Sequence, residues 1–294
     1  MRCALIGVTG QLGFDLARTF DLPGELVRLT RADLDLLEPG TIARVLGDVR
    51  PTHVVNCAAY NLVDRAEDEQ AIAFALNADA VGTLAETCQA LDATFVHFST
   101  DYVFDGAKTS PYMEDDAPRP LSVYAESKLA GERLALARGP RTFVFRVCGL
   151  YGIARSATAG RTNFVETMLR LAASGQPIRV VSDQVLTPSY TLDLAPKVWR
   201  VLARGAPGIY HLSSAGQTSF YDFAREIFRQ SGLTPPLTAV TAAQFGARAR
   251  RPPYSVLAHT RLAALGEDDL RPWPAALAAY LRERVTRATA PAGS

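Results

Sequence analysis

The chain has 294 residues, 48% hydrophobic and 21% charged, with a formal net charge of +1. That balance excludes a disordered chain and suits one large α/β unit carrying a smaller part. Near-neutral charge leaves no electrostatic footprint for DNA or RNA, and no apolar run reaches the roughly 18 residues that span a bilayer, so neither nucleic acid nor membrane is an expected partner.

Residues 1–13 carry one positive charge before a short apolar run and lack a small-residue cleavage pattern. They read as a first strand rather than a secretory leader, and the expected location is cytoplasmic. Four cysteines, Cys3, Cys57, Cys88 and Cys148, form no C-x-x-C pair and have no histidines at metal-binding spacing. They read as small buried hydrophobes, and no metal is expected.

In chain order, residues 2–8, 26–30, 53–57, 94–99 and 142–147 read as strands. They are rich in Val, Leu, Ile, Phe and Thr with little polar alternation, as strands covered on both faces are. Between them residues 12–20, 39–49, 70–91 and 122–138 have helical periodicity. This β-α-β-α rhythm predicts a parallel sheet wrapped by helices. Beyond 151 the rhythm breaks. Residues 152–160 read as a loop, 162–174 as a helix, and 177–181 and 208–212 as strands added late to the sheet. Residues 220–231 read as an amphipathic helix, 235–253 as irregular, 272–285 as a last helix and 286–294 as a disordered tail. The expected division is a dinucleotide-binding domain over 1–150 and a substrate-binding part over 151–285, from which about 178–215 returns to the sheet.

Gly7, Gly10 and Gly13 stand directly after the first strand and open the first helix. A pyrophosphate must approach backbone N–H groups at such a helix start, where a Cβ would obstruct it. At the end of the second strand an NAD-selective site usually presents an acid to the ribose 2′-hydroxyl. Here Thr30 and Arg31 occupy that place, and Arg31 suits a 2′-phosphate. The expected cofactor is therefore NADPH, with NADH left open. Asp35 and Leu36 follow at the right distance to contact adenine.

Tyr124 and Lys128 lie four residues apart within a predicted helix, so both project from one face. Adding hydride to a carbonyl leaves an alkoxide that needs a proton. A free phenol, with a pKa of about 10, gives its proton reluctantly, and a nearby ammonium brings it toward working pH. Lys128 can also hold the nicotinamide ribose. Ser99 and Thr100 end the fourth strand, beyond whose carboxyl edge ligands bind in open α/β sheets, and a hydroxyl there can hydrogen-bond the substrate carbonyl.

The run Ser99-Thr-Asp-Tyr-Val-Phe-Asp-Gly106, followed by Pro111-Tyr112, Pro120-Leu121 and Tyr124-x-x-x-Lys128-Leu-x-Gly-Glu132, resembles the dTDP-4-dehydrorhamnose reductase family of extended short-chain dehydrogenases. The likeness runs nearly the whole length through Gly10-Gln-Leu-Gly13, Asn56-Cys-Ala-Ala-Tyr60, Val63-Asp64, Asn77, Gly82-Thr83, Asn163-Phe-Val165, Asp183-Gln184, Pro188 and Pro253-Tyr-Ser-Val-Leu257. It implies a doubly wound Rossmann domain with a smaller mixed α/β part, and reduction of the C4 keto group of a nucleotide-linked 6-deoxysugar. Thr100 would polarise the keto oxygen, Tyr124 donate the proton and Lys128 bind the ribose. Gln11, Leu12 and Gly13 would contact pyrophosphate, and Ala58, Ala59 and Tyr60 would line the cofactor. Asp101 and Tyr102 would approach the sugar, while Asn163 and Arg250 or Arg251 would hold the nucleotide; Asn77 reads as a structural hydrogen-bonder.

Two departures stand out. The family often carries a tryptophan near the substrate where Gly149 lies, so the pocket is expected to be larger or reshaped, which leaves open a sugar other than dTDP-4-dehydrorhamnose. Asp15 replaces a glutamate found in members said to bind magnesium between subunits. Tyr124 and Lys128 are equally compatible with an epimerase, and the same motif occurs in the regulatory β subunit of methionine adenosyltransferase, so a non-catalytic role stays open at this point. So does a homodimer.

Overall fold

A computed structural model describes residues 1–38, 40–154 and 163–289. The first half alternates strand and helix. It runs β1 (Arg2–Ile6), α1 (Gln11–Arg18), β2 (Glu25–Leu29), α2 (Thr41–Val49), β3 (His53–Asn56), α3 (Val63–Ala66), α4 (Gln70–Phe74), a π-turn (Ala75–Asp79), α5 (Ala80–Ala90), β4 (Thr94–Thr100), α6 (Val123–Arg138) and β5 (Thr142–Val147). The second half holds β6 (Leu150–Tyr151), α7 (Phe164–Ala173), β7 (Ile178–Val181), β8 (Val185–Leu186), β9 (Ser189–Tyr190), α8 (Thr191–Arg204), β10 (Gly208–Leu212), β11 (Thr218–Ser219), α9 (Phe220–Gln230), β12 (Leu237–Val240), α10 (Ala242–Phe245), α11 (Thr260–Ala264) and α12 (Trp273–Thr289).

Six strands form one parallel sheet in the order β10-β5-β4-β3-β1-β2. Successive residues of a strand face opposite sides. Cys3 and Leu5 of β1 pack with Val96, Phe98 and Phe145 against α1, α8 and α11. Ala4 and Ile6 pack with Val54 and Phe95 against α2, α5 and α6. Both faces are therefore covered, which is why the strands read as near-continuous apolar runs. The direction of winding reverses between β1 and β3, and a crevice opens beyond the carboxyl ends of the strands at such a point.

A second apolar cluster joins Tyr151, Met168, Ile178, Phe223, Ile227 and Tyr280 in the C-terminal half. Here the structure corrects three expectations. β7 does not join the main sheet; it pairs in parallel with β12, with Ile178 opposite Leu237, because Ile178 and Val180 bury into that second cluster. The stretch 235–253 is irregular only in part: Leu237–Val240 forms β12 and Ala242–Phe245 forms α10, with Pro235 and Pro236 before them and Pro252 and Pro253 after, while 246–253 has no helix or strand. The last helix continues through 286–289, where a tail was expected. Arg287 pairs with Glu283 at 2.9 Å and lies 4.9 Å from the Phe14 ring centroid, which holds that turn against α1. Residues 290–294, and most of the predicted loop 152–160, lie outside the described residues. α8 escaped the sequence reading because Pro196 sits inside it.

Candidate active site

Along the reversal point a cavity of about 1150 Å³ runs between the sheet and the C-terminal half. Small-molecule pockets commonly occupy about 300–1,000 Å³, so this one has room for a dinucleotide and a second ligand. The sheet side contributes Gly10, Gln11, Ala59, Thr100, Tyr124 and Lys128; the other side contributes Phe164, Phe220, Phe245 and Arg250.

The glycine turn is built by close approach. Gly7 has φ of +78°, and a Cβ on Gly13 would overlap the Gly7 carbonyl oxygen. Gly10 caps α1 without any side-chain hydrogen bond, so the first-turn N–H groups of Gln11, Leu12 and Gly13 lack a side-chain acceptor. Gln11 Oε1 is buried without a hydrogen-bond partner among the described residues. N–H groups at a helix start and an unpaired amide oxygen beside them fit the pyrophosphate and a ribose hydroxyl of a dinucleotide.

Thr100 ends β4, and Ser122 caps α6 by accepting the Ala125 N–H at 3.3 Å, which starts the helix carrying Tyr124 and Lys128. The Thr100 hydroxyl donates to Asp101 Oδ1 at 3.0 Å and lies close enough to the Tyr124 phenol to act on its proton affinity. The Tyr102 N–H donates back to Thr100 Oγ1 at 3.2 Å, so this hydroxyl is held by two hydrogen bonds. Burial pushes the Tyr124 phenol up to about 12; the Thr100 hydroxyl opposes that shift and the Asp101 charge adds to it. Lys128 lies one turn along. Its Nζ donates to the Phe98 carbonyl at 2.5 Å and sits 3.3 Å from His97 Nε2, and burial brings the ammonium down to about 8. The expectation that Lys128 directly tunes Tyr124 is therefore corrected: burial, Thr100 and Asp101 act on the phenol.

Of the residues singled out from sequence, Gly10, Gln11, Leu12, Gly13, Ala59, Thr100, Asp101, Tyr102, Tyr124, Lys128, Gly149 and Arg251 line the cavity. Several others are engaged elsewhere. Leu36 is buried among Ile42, Val45 and Leu46. Ala58 N–H donates to Asn56 Oδ1 at 3.0 Å and packs under Gly7. Tyr60 is turned away, its N–H given to Asn77 Oδ1 at 2.9 Å and its hydroxyl to Glu69. Asn163 caps α7 through the Glu166 N–H at 2.9 Å and donates to the Gly152 carbonyl at 3.2 Å. Arg251 is paired with Asp64 at 2.7 Å and hydrogen-bonds Tyr102. Arg31 is 79% exposed and pairs with Asp35 at 3.0 Å at the end of β2. Asp101, buried, accepts from Thr100, from Cys148 at 3.1 Å and from Ser255, so it anchors the 253–257 segment to β4.

Gly149 departs most from expectation. It has φ of +54°, and a Cβ there would lie 2.9 Å from Leu186 Cδ1 and 3.1 Å from the Thr187 carbonyl. The Leu186–Pro188 turn fills the space beside it, so the missing aromatic leaves no simple enlargement. Sequence reading also passed over Phe245, 49% exposed at the cavity rim, and Arg179 nearby on its lining. No motif marks either, since both lie in the poorly patterned C-terminal half.

A parallel sheet with a glycine turn, and a threonine, tyrosine and lysine gathered at its carboxyl edge, define an NAD(P)H-dependent oxidoreductase of the extended short-chain dehydrogenase type. The family model described as RmlD substrate binding domain matches residues 1–286, and the chain belongs to that family. It is 40% identical to a dTDP-4-dehydrorhamnose reductase of Streptomyces griseus, covering 94% of this chain and 91% of that protein. It is also 40% identical to a probable dTDP-4,6-dihydroxy-2-methyloxan-3-one 4-ketoreductase of Streptomyces antibioticus, over 94% and 93% of the two chains. A crystal structure of dTDP-4-dehydrorhamnose reductase from Bacillus anthracis in complex with NADP superposes with a TM-score of 0.90, at 32% identity, over 96% of this chain and 99% of that one.

Proposed function

We propose that this protein is an NADPH-dependent reductase that converts the C4 keto group of a dTDP-linked 6-deoxysugar to an alcohol. The observation that carries the reading is that Thr100, Tyr124 and Lys128 line the same cavity as the open glycine turn. Bound at Gly10–Gly13, NADPH would supply a hydride to the carbonyl carbon. Burial makes Tyr124 hold its proton firmly, and it releases that proton to the sugar oxygen as charge develops there. Thr100, fixed by Asp101 and Tyr102, hydrogen-bonds the same oxygen. Lys128 holds the nicotinamide ribose.

The sugar nucleotide sits between the 1–150 part and the 151–285 part, because both line the cavity. Arg250 lines the same cavity, is exposed, and makes no hydrogen bond or ion pair among the described residues, which suits a diphosphate better than Arg251, whose guanidinium is paired with Asp64. Phe245 offers a face on which the base can stack. Arg31, at the surface beyond β2, takes the 2′-phosphate by exchanging Asp35 for it. Four free cysteines agree with a reducing, cytoplasmic setting. The test is NADPH oxidation with dTDP-4-keto-6-deoxysugars: turnover supports the reading, and inertness with all of them removes it.

A further inference from the structure

The imidazole of His97 is fully buried on β4, between two nitrogen donors. On one side Asn56 Nδ2 lies 3.5 Å from its Nδ1. That amide is fixed in orientation, because Asn56 Oδ1 accepts the Ala58 N–H at 3.0 Å. On the other side Lys128 Nζ lies 3.3 Å from Nε2 while donating to the Phe98 carbonyl at 2.5 Å. A neutral imidazole has one N–H and one lone pair, so it can satisfy only one of two donors. When Nδ1 accepts from Asn56, Nε2 carries the hydrogen, and only a neutral amine on Lys128 has a lone pair to receive it. When Lys128 is an ammonium, Nε2 must accept, and the hydrogen sits on Nδ1 against the Asn56 amide. An imidazolium would face donors on both sides, and burial with the nearby Lys128 charge holds the His97 pKa well below its ordinary value.

We propose that His97 is a positioning residue whose tautomer is coupled to the protonation state of Lys128, so that the lysine is held in place both as ammonium and as amine. The charged and titratable neighbours are accounted for. Glu132, one turn on along α6, favours the ammonium, but its carboxylate is paired with buried Arg146 of β5. The Cys57 thiol beyond β3 is kept protonated by burial. Tyr124, one turn back, is neutral while it keeps its proton. Asn56 tips the balance further, since its amide is satisfied only by the tautomer that opposes an ammonium. The functional consequence rests on the reductase reading. After Tyr124 gives its proton to the sugar oxygen, the phenolate must regain one. Solvent supplies it, and His97 keeps Lys128 at its ribose-holding position as ammonium or as amine through that step.

Two measurements test this. Nitrogen-15 NMR of the imidazoles in the cofactor-free protein should show His97 neutral from about pH 6 to about pH 10. Its Nδ1–H form should give way to the Nε2–H form with a midpoint near 8, where Lys128 titrates. A single tautomer across that range, or an imidazolium, overturns the proposal. The second measurement is the pH profile of kcat/KM for His97→Gln, whose amide oxygen can accept from an ammonium without a competing tautomer. Its alkaline limb should move up by roughly one pH unit, a tenfold change in proton affinity. A limb that stays in place overturns the positioning role. If the variant does not fold, the spectrum of the wild-type protein still decides. If the wild-type protein oxidises no NADPH, the reductase reading fails while the spectrum decides the coupling by itself.

Discussion

The Thr100 hydroxyl connects three residues. It contacts the Tyr124 phenol, gives its proton to buried Asp101 and accepts the Tyr102 N–H, so its position is set before any ligand arrives. Tyr124→Phe removes the proton donor and keeps the ring. It should lower kcat by roughly 10²–10⁴-fold, the range of general acid catalysis, with the NADPH Kd unchanged by fluorescence titration. Two neighbouring arginines should separate. Arg250→Ala should raise KM for the sugar nucleotide about 10–100-fold, the loss of one charge-assisted contact. Arg251→Ala should instead free Asp64 and loosen the 249–257 segment, costing roughly 1 kcal/mol of stability because the pair is partly exposed. Steady-state kinetics and denaturant titration on both variants decide, and the reverse pattern would return the nucleotide role to Arg251. The sequence carried Thr100, Tyr124, Lys128 and the glycines plainly, because their chemistry depends on spacing within one element. It could not separate Arg250 from Arg251, nor show Asn163 as a helix cap and Tyr60 as turned away. Those assignments depend on partners up to 187 positions distant in the chain.

At the scale of elements, the five strands of the first half were readable because burial on both faces removes polar alternation from them. β7 was equally apolar but found its partner in β12, a choice made by the cluster around Phe223 and not by its own sequence. Gly149 illustrates the same limit. Its neighbours along the chain suggest a lost aromatic, whereas the fold places the Leu186–Pro188 turn against it. Gly149→Ala must adopt φ near +54° and press on Leu186 and the Thr187 carbonyl. It should cost about 1–3 kcal/mol of stability by denaturant titration, and a neutral result would mean that the β8–β9 turn yields readily.

Across the whole molecule, the N-terminal and C-terminal helices are tied by charge. Asp15 is fully buried, accepts from Arg18 at 2.6 Å and from Thr191, and Arg18 reaches Glu283 of α12 at 2.6 Å. Stability should also depend on pH through two buried histidines. Burial, helped by Arg146, lowers His211 from 6.5 to about 3, and His97 is likewise held well below 6.5. As pH falls below 6.5 the unfolded chain takes up these protons and the folded chain does not, so stability is lost, by up to about 1.4 kcal/mol per pH unit for each group. Asp15 and Asp101, raised by burial, act in the opposite sense. Comparing the wild-type protein with His211→Asn isolates the histidine contribution, and the variant should show a shallower fall between about pH 6.5 and pH 5.

Deuterium transfer bears on the reductase reading most directly. With NADPH deuterated at the transferred position of its nicotinamide and a dTDP-4-keto-6-deoxysugar, mass spectrometry and proton NMR should find one deuterium at the sugar's C4 for each NADPH oxidised. Tyr124→Phe should form such labelled product roughly 10²–10⁴-fold more slowly. Unlabelled product, or a Tyr124→Phe variant that transfers the label at the wild-type rate, would contradict the account.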